Sequence, residues 1–596
     1  RKLQEILTIY QAFDKSMQAD TIPSERLFDV LCRLIPESAL IRRSVVAFDG
    51  FTGFTPVQYQ VLEALMRYAG QVIVTVTVDG ELAEGRLAAG PAASEGDADS
   101  QAEAALRRAR LAGDRQLFDM SLTTVHTLRN LAAQNQITEE ASQVLPPGLR
   151  FGKAPALAVL ERQLLRGSAV PMAGDDGQGS IRLWEVRDRH AELVCVAREM
   201  FRLVKEEGLC YREIALVTSD ITGYEPVIRQ VFGQCHIPYF IDVKNSMMGH
   251  PLVACLRGAL EAVENGYSYE TMFACLKSGM TPFEENDLYE LENYVLAMGI
   301  RGRHAWEMPW ERIYREGRHL DMERLNRLRV QASEPLFAMQ EVFRRPESTV
   351  RDYAAALVEF MQSWQMEKRL SVMAGQLAQT GEASLSLEYE QAYNKVLELL
   401  DKVVELFGDG RISPREWREI LDTGFSEIRV GVIPACVDRV VAGDMHRTRL
   451  KAPRALFFIG ANDGLVPKTG EKASLLSDLD RRSLAKRGIQ LAPTRQENGF
   501  IDRFYLYLTL TKPSERLYVS WCRQSMDGAA MLPSYLIGEL KGIYPWLETE
   551  QADCGVPLPM QILTPETART ALLSGFADYK EGRAPKAWLE LYGLFW

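Results

Sequence analysis

The chain has 596 residues, 46% of them hydrophobic and 25% charged, the balance of an ordinary globular protein large enough for several buried cores. Its net charge of −11, from 69 basic and 80 acidic residues, excludes a chain that coats nucleic acid non-specifically but leaves room for a local basic channel. No stretch is long and apolar enough to span a membrane, and the nine cysteines include no CxxC pair, which points away from a zinc site or a disulfide framework.

The chain begins at Arg1 inside KLQEILTIYQAFDKSM, which reads as a helix, and carries no signal-peptide pattern. We therefore expect an internal piece of a longer cytoplasmic protein. VVAFDGFTGFTPVQY (45–59) and QVIVTVTVD (71–79) follow. Two β-branched runs flank an amphipathic stretch from Pro56, which predicts a βαβ unit with Asp49 at the carboxyl end of its first strand. In nucleotide-driven motors this position holds an acid that organises Mg²⁺, usually followed by a Glu that positions the attacking water. Here Gly50 follows, and a glycine can neither polarise water nor accept its proton.

Residues 81–180 are rich in Ala, Gly and acid and predict a connector with an exposed helix or loop. Arg107, Arg108 and Arg110 there suit either a DNA contact or a solvated helix face. A Gly-rich turn at 173–180 precedes a second sheet, which opens with IRLWEVRD. The following helix places Leu193, Val196, Ala197, Met200, Phe201 and Val204 at helical spacing and should pack on that sheet. REIALVTSD and the strand around Ile237–Tyr239 continue it. From 256 to 428 the pattern is helical, with Trp306 and Trp310 as candidates for base stacking or helix packing.

Sheet character returns at 429–545. The strand Ala455–Gly460 ends at Asn462-Asp463-Gly464, a turn at the edge where open α/β sheets collect ligands. The tract His446-Arg-Thr-Arg-Leu-Lys-Ala-Pro-Arg454 suits phosphates as readily as solvent. A further segment, ENGFIDRFYLYLTLTKPSERLYVSW, covers 497–521.

Three of these segments resemble motifs of UvrD/PcrA-type superfamily-1 helicases, and most closely the AddB-type components of AddAB-type (RexAB-like) bacterial helicase–nucleases. Asp49, Phe51, Pro56, Gln58 and Tyr59 match DEFQDxxPxQY; His446, Gly460, Gly464 and Pro467 match motif V; Leu510, Thr511, Glu515, Arg516, Leu517, Tyr518 and Ser520 match motif VI. The arginine finger of motif VI falls at Lys512, and an earlier arginine at Phe504. A lysine supplies charge without the planar fork that spans two phosphate oxygens, and losing such a finger costs about 10³–10⁵ in rate. Gly50 and Lys512 thus impair both faces of the hydrolytic cleft.

The resemblance implies an α/β fold with a UvrD-like superfamily-1 core, RecA-like parallel sheets and large helical insertions. It implies the end of a first RecA-like domain over 1–80, a mostly helical connector over 81–180 and a second RecA-like domain in two parts, 181–255 and 429–545. A helical insertion would occupy 256–428, and 546–596 would lead towards a nuclease domain. No Walker A loop is present, since Gly80–Gly85 lacks the lysine. A full-length member would use Mg²⁺, ATP and a 4Fe–4S cluster, none of them held by these residues. The partners implied are single- and double-stranded DNA and an AddA-type motor subunit in a heterodimer, with no membrane.

The expected role is to bind and thread a single strand, scanning it for the Chi hotspot, without catalytic residues of its own. Asp49, Gly50 and Lys512 would form a degenerate nucleotide site, and Thr52, Phe54, His446, Arg447, Thr448 and Arg449 the DNA contacts. The alternatives are an ATP-hydrolysing superfamily-1 helicase with divergent motifs, and a scaffold that binds no DNA.

Overall fold

A computed structural model of the protein describes residues 27–78, 116–145, 149–166, 170–174, 179–242, 247–312, 321–379, 383–428, 437–468, 476–485, 493–554 and 556–595, with a few single positions besides. Asp79, Gly80–Gly85, Arg107, Arg108, Arg110 and most of the first predicted helix lie outside the described residues. The chain divides into two compact units: Arg1–Asp242 with Asp438–Trp596, and Val243–Val437.

Among the described residues the first unit holds two parallel sheets. In the smaller, β1 (Val45–Phe48) and β2 (Gln71–Val74) pair in register from Val45↔Gln71 to Phe48↔Val74. The helix Pro56–Tyr68 connects them and buries Val61, Leu62 and Leu65. This is the βαβ unit that the two β-branched runs predict.

The larger sheet has seven strands, β3 (Ile181–Val186), β4 (Ile214–Thr218), β5 (Tyr239–Ile241), β6 (Val440–Asp444), β7 (Ala455–Phe458), β8 (Arg516–Cys522) and β9 (Thr549–Gln551). Their order is β5-β6-β4-β7-β8-β3-β9, and every pairing is parallel. Strands β4 (IALVT) and β7 (ALFF) are buried along their whole length. Near-continuous apolar runs of this kind belong to central strands covered on both faces. The edge strand β9 lies beyond 545, where the sequence shows no apolar run. It is held by its ladder to β3 and by Arg182, whose guanidinium meets the Glu550 carboxylate at 2.9 and 2.5 Å.

The helix Arg189–Lys205 starts at Asp188, whose carboxylate accepts the Ala191 N–H at 2.9 Å. That cap satisfies an amide the helix leaves unpaired. The helix buries Leu193, Val196, Ala197, Met200 and Leu203, while Phe201 and Val204 are half-buried. Glu199 on the same helix accepts from Tyr518 Oη at 2.7 Å and from Arg202 at 2.7 Å. Burial pushes its carboxyl up, but the hydrogen bonds from Arg202 and Tyr518 outweigh it and hold the group below the ordinary range.

The second unit is helical throughout its described part. Trp306, Trp364 and Trp417 are among its largest fully buried side chains. Trp310 stacks on Tyr294 at 4.8 Å, lies 5.4 Å from Trp306 and donates its indole N–H to Ala305 O at 2.9 Å. Both tryptophans are therefore core residues, and no face of either is free for a base. Among the described residues no helix is long and apolar enough to cross a membrane.

His250 caps the helix Pro251–Glu264, its Nδ1 accepting the Leu252 N–H at 3.1 Å, while its ring lies 4.6 Å from Tyr389. It is 4% exposed, its Nε2 has no hydrogen-bond partner among the described residues, and burial holds its pKa down to about 4. A neutral buried histidine stabilises the fold fully above its unfolded pKa of about 6.5 and loses that contribution as pH falls towards the folded value. The contribution is on the order of 3 kcal/mol. Urea unfolding between pH 7.5 and 4.5 is expected to show a loss that His250→Phe removes; identical pH slopes for the two proteins would refute it.

Candidate functional site

The Asp49 turn is closed by a residue of the neighbouring strand's end. Thr75 Oγ1 donates to Asp49 Oδ1 at 2.5 Å and accepts the Gly50 N–H at 3.4 Å, and Thr75 N donates to Phe48 O at 2.9 Å. Gly50 has φ +71°, in the left-handed region that favours glycine. The chain then enters its helix through Thr55. Thr55 Oγ1 accepts the Gln58 N–H at 3.4 Å while the Gln58 side chain accepts the Thr55 N–H at 2.8 Å, with Pro56 at the first helical position. Pro56 and Gln58, two of the motif's matching residues, thus serve the helix start, a reciprocal cap that satisfies two unpaired amides.

Between turn and helix, Phe48, Phe51, Phe54 and Tyr59 form an aromatic cluster. Phe51 and Phe54 stack at 5.2 Å, and Tyr59 meets Phe54 edge-on at 5.6 Å. Phe54 is half-buried in this cluster, whereas Phe51 keeps 39% of its surface exposed.

Two residues from around the larger sheet reach this turn, Arg449 from a loop and Tyr505 from the helix Arg495–Leu510. Arg449 donates from its guanidinium to Gly50 O and lies 5.7 Å from the centre of the Phe51 ring. Thr52 Oγ1 and Tyr505 Oη share a hydrogen bond of 2.8 Å. Tyr505 in turn lies edge-on to His446 at 5.0 Å, and His446 Nε2 is 3.4 Å from the Asp502 carboxylate. Burial raises the Asp502 carboxyl, and His446 opposes that shift.

Lys512 belongs to the same constellation. It is exposed at the surface yet crowded by protein, so burial and then Arg150 and Arg449 push its ammonium below the ordinary value, while Asp49 pulls it back. The structure therefore brings together Asp49, Gly50 and Lys512.

The basic tract divides by partner. Thr448 Oγ1 donates to Asp242 at 2.9 Å and folds over Gly443, where a Cβ would fall 1.9 Å from that hydroxyl oxygen. Arg454 pairs with Glu213 at 3.3 Å and Glu515 at 2.9 Å. His446 and Arg449 are engaged as above. Arg447 and Lys451 remain exposed, with no side-chain hydrogen bond or ion pair among the described residues. Of the six expected DNA contacts, Thr52, Phe54, His446, Thr448 and Arg449 thus have intramolecular partners, and Arg447 presents its charge to solvent. Tyr505, Thr75, Asp502 and Arg150 escaped the sequence reading, because nothing in their local sequence marks the residues they meet.

Among the described residues no group of three or more His, Cys, Asp or Glu side chains is placed to hold a metal ion. An iron–sulfur cluster does not fit these residues, and the free Cys255 and Cys275, whose sulfurs lie 3.7 Å apart, are buried between two helices.

Parallel α/β sheets with an acid closing the first strand and a basic residue facing it are consistent with a helicase-like α/β protein. A family model described as "ADDB, N-terminal" matches residues 1–88. The chain is also similar to the second subunits, AddB, of enzymes named "ATP-dependent helicase/deoxyribonuclease". Those of Lachnoclostridium phytofermentans (34% identical), Moorella thermoacetica (33%) and Geobacillus kaustophilus (30%) align over 100%, 99% and 100% of the chain, and over 50%, 50% and 51% of their own lengths. The chain belongs to the AddB family, and it spans about half the length of these curated relatives.

Proposed function

We propose that this chain is the helicase-like, motor-silent region of the AddB component of a DNA helicase–nuclease for double-strand-break repair by recombination. Its core is UvrD-like, and it binds and threads single-stranded DNA, scanning for Chi, beside an active AddA-type motor subunit in the cytoplasm. The observation that carries this reading is the Gly50 carbonyl, which takes the Arg449 guanidinium where a motor would hold a carboxylate and its water. A guanidinium fixed there has no acceptor and cannot take a proton from a nucleophile. Full-length members would bind ATP and Mg²⁺ upstream and carry an iron–sulfur nuclease domain.

The test is anisotropy of a labelled single-stranded oligonucleotide across a salt series. Arg447→Ala is expected to weaken binding and to lower the salt slope by about one. Absence of binding at low salt would instead make this region a scaffold. The exposed Asp49 carboxylate, within electrostatic reach of Lys512, favours one second reading, a divergent ATP-hydrolysing helicase. DNA-stimulated ATP turnover lost on Asp49→Ala in this subunit would select it.

A further inference from the structure

Glu192 is 0% exposed, on the helix Arg189–Lys205 beneath the carboxyl edge of the larger sheet. Its Oε1 accepts the Gly460 N–H at 3.0 Å and Ser520 Oγ–H at 2.5 Å. Its Oε2 accepts Tyr224 Oη–H at 2.6 Å and lies 3.4 Å from the Cys522 sulfur. Both oxygens are thus filled from four directions. A buried carboxylate is costly unless it is satisfied in this way, so its presence asks for a use.

What Glu192 holds is the turn after β7. Gly460, with φ +70°, begins it. Asn462, also 0% exposed, donates to Cys522 O at 2.7 Å and Leu532 O at 3.1 Å, and accepts the Cys522 N–H at 3.0 Å. Asp463 N donates to Leu532 O at 2.9 Å, and Ser534 N to Ala461 O at 2.9 Å. The turn and the 523–534 loop are therefore one hydrogen-bonded piece, which Glu192 ties to the helix Arg189–Lys205. Asp463, Leu532 and Pro533 face solvent on it.

We propose that Glu192 is a positioning residue that fixes the Gly460–Gly464 turn and its companion loop at the carboxyl edge, and that this turn steers the bound single strand. The second half rests on the strand-binding reading above; the first does not. Glu192→Leu would leave the Gly460 amide without its acceptor. Hydrogen exchange in the full subunit is expected to rise about tenfold over 459–466 and 530–535 while β3 and β4 keep their protection. Glu192→Gln still offers Oε1 to Gly460, and the Tyr224 hydroxyl can rotate to accept from its amide, so it should restore near-native exchange in the turn. If Glu192→Leu does not fold, Glu192→Asp, which withdraws the charge by one methylene, takes its place in the comparison.

An equal rise across the whole sheet, or none in the turn, would overturn the positioning role. Single-strand affinity read in parallel should fall about tenfold for Glu192→Leu with an unchanged salt slope, because no phosphate contact is removed. A local rise in exchange with native affinity would overturn the steering half. Loss of binding in the wild-type subunit itself would instead strike the strand-binding reading.

Discussion

Gly460→Ala is expected to destabilise the sheet-bearing unit by about 2–4 kcal/mol, from left-handed strain and overpacking together. The position has φ +70°, and a Cβ built there would lie 2.8 Å from Tyr224 Oη, 3.0 Å from its Cε2 and 3.2 Å from its Cζ. Tyr224 cannot step aside. It is 0% exposed, its hydroxyl is tied to Glu192 at 2.6 Å, and its ring lies 4.6 Å beneath the Arg189 guanidinium, which pairs with Asp220 at 2.9 Å. Each route of escape breaks a buried hydrogen bond or an ion pair. The measurement is the urea midpoint of the unfolding transition that reports this unit, followed by tryptophan fluorescence. A loss below about 1 kcal/mol would mean that Tyr224 has an alternative place, contrary to the packing described.

Gly258→Ala in the helical unit is expected to go against helix propensity. Alanine in a helix interior ordinarily gains about 1 kcal/mol over glycine. Here the added Cβ would meet Cys275 N at 2.7 Å, Cys275 Cα at 2.9 Å and the Ala274 carbonyl carbon at 3.1 Å. All three are backbone atoms of the helix Tyr269–Leu276, so no rotamer change relieves them. The helix has to move away, opening a core that contains Leu256, Ala259, Met272 and Leu276, each 0% exposed. Overpacking of up to about 3 kcal/mol against a gain of about 1 leaves a net loss of about 2 kcal/mol. A thermal scan that placed the variant above the parent would show that propensity wins and that the two helices are not in rigid contact.

Much of the first unit is written locally in the chain. The runs VVAF, IALVT and ALFF and the helical spacing of Leu193, Val196, Ala197 and Met200 disclose strands and their covering helix, because burial on a sheet imposes a period that survives in sequence. The candidate site is legible only in part. Asp49 and Gly50 stand out by position, but what they do depends on Arg449 and Lys512, far along the chain, and on Thr75 across the ladder. The tract His446–Arg454 reads as one basic patch by composition, yet His446, Thr448, Arg449 and Arg454 are each engaged by a remote acid or carbonyl, Asp502, Asp242, Gly50, and Glu213 with Glu515, which leaves Arg447 and Lys451 exposed. Glu192 looks like any polar residue on an amphipathic helix. Its burial is decided by Ser520 and Gly460, which no periodicity connects to it.

The strand order has a consequence for how the chain emerges from the ribosome. In the larger sheet β3 pairs with β8 and β9, β4 with β6 and β7, and β5 with β6, so the first three strands of that sheet to be made have no pairing among themselves. Val243–Val437 must be synthesised before β6 can exist. At about 5–20 residues per second, β4 and β5 wait on the order of 10–40 s for β6 with their edges open, and β3 waits longer still, for β8. The helical unit completes itself during that interval from contacts within one stretch of chain, whereas the sheet closes only at the end. Nascent chains stalled before Val440 should therefore carry a folded helical unit behind protease-sensitive, aggregation-prone strands, and a holding chaperone is the natural tenant of that interval.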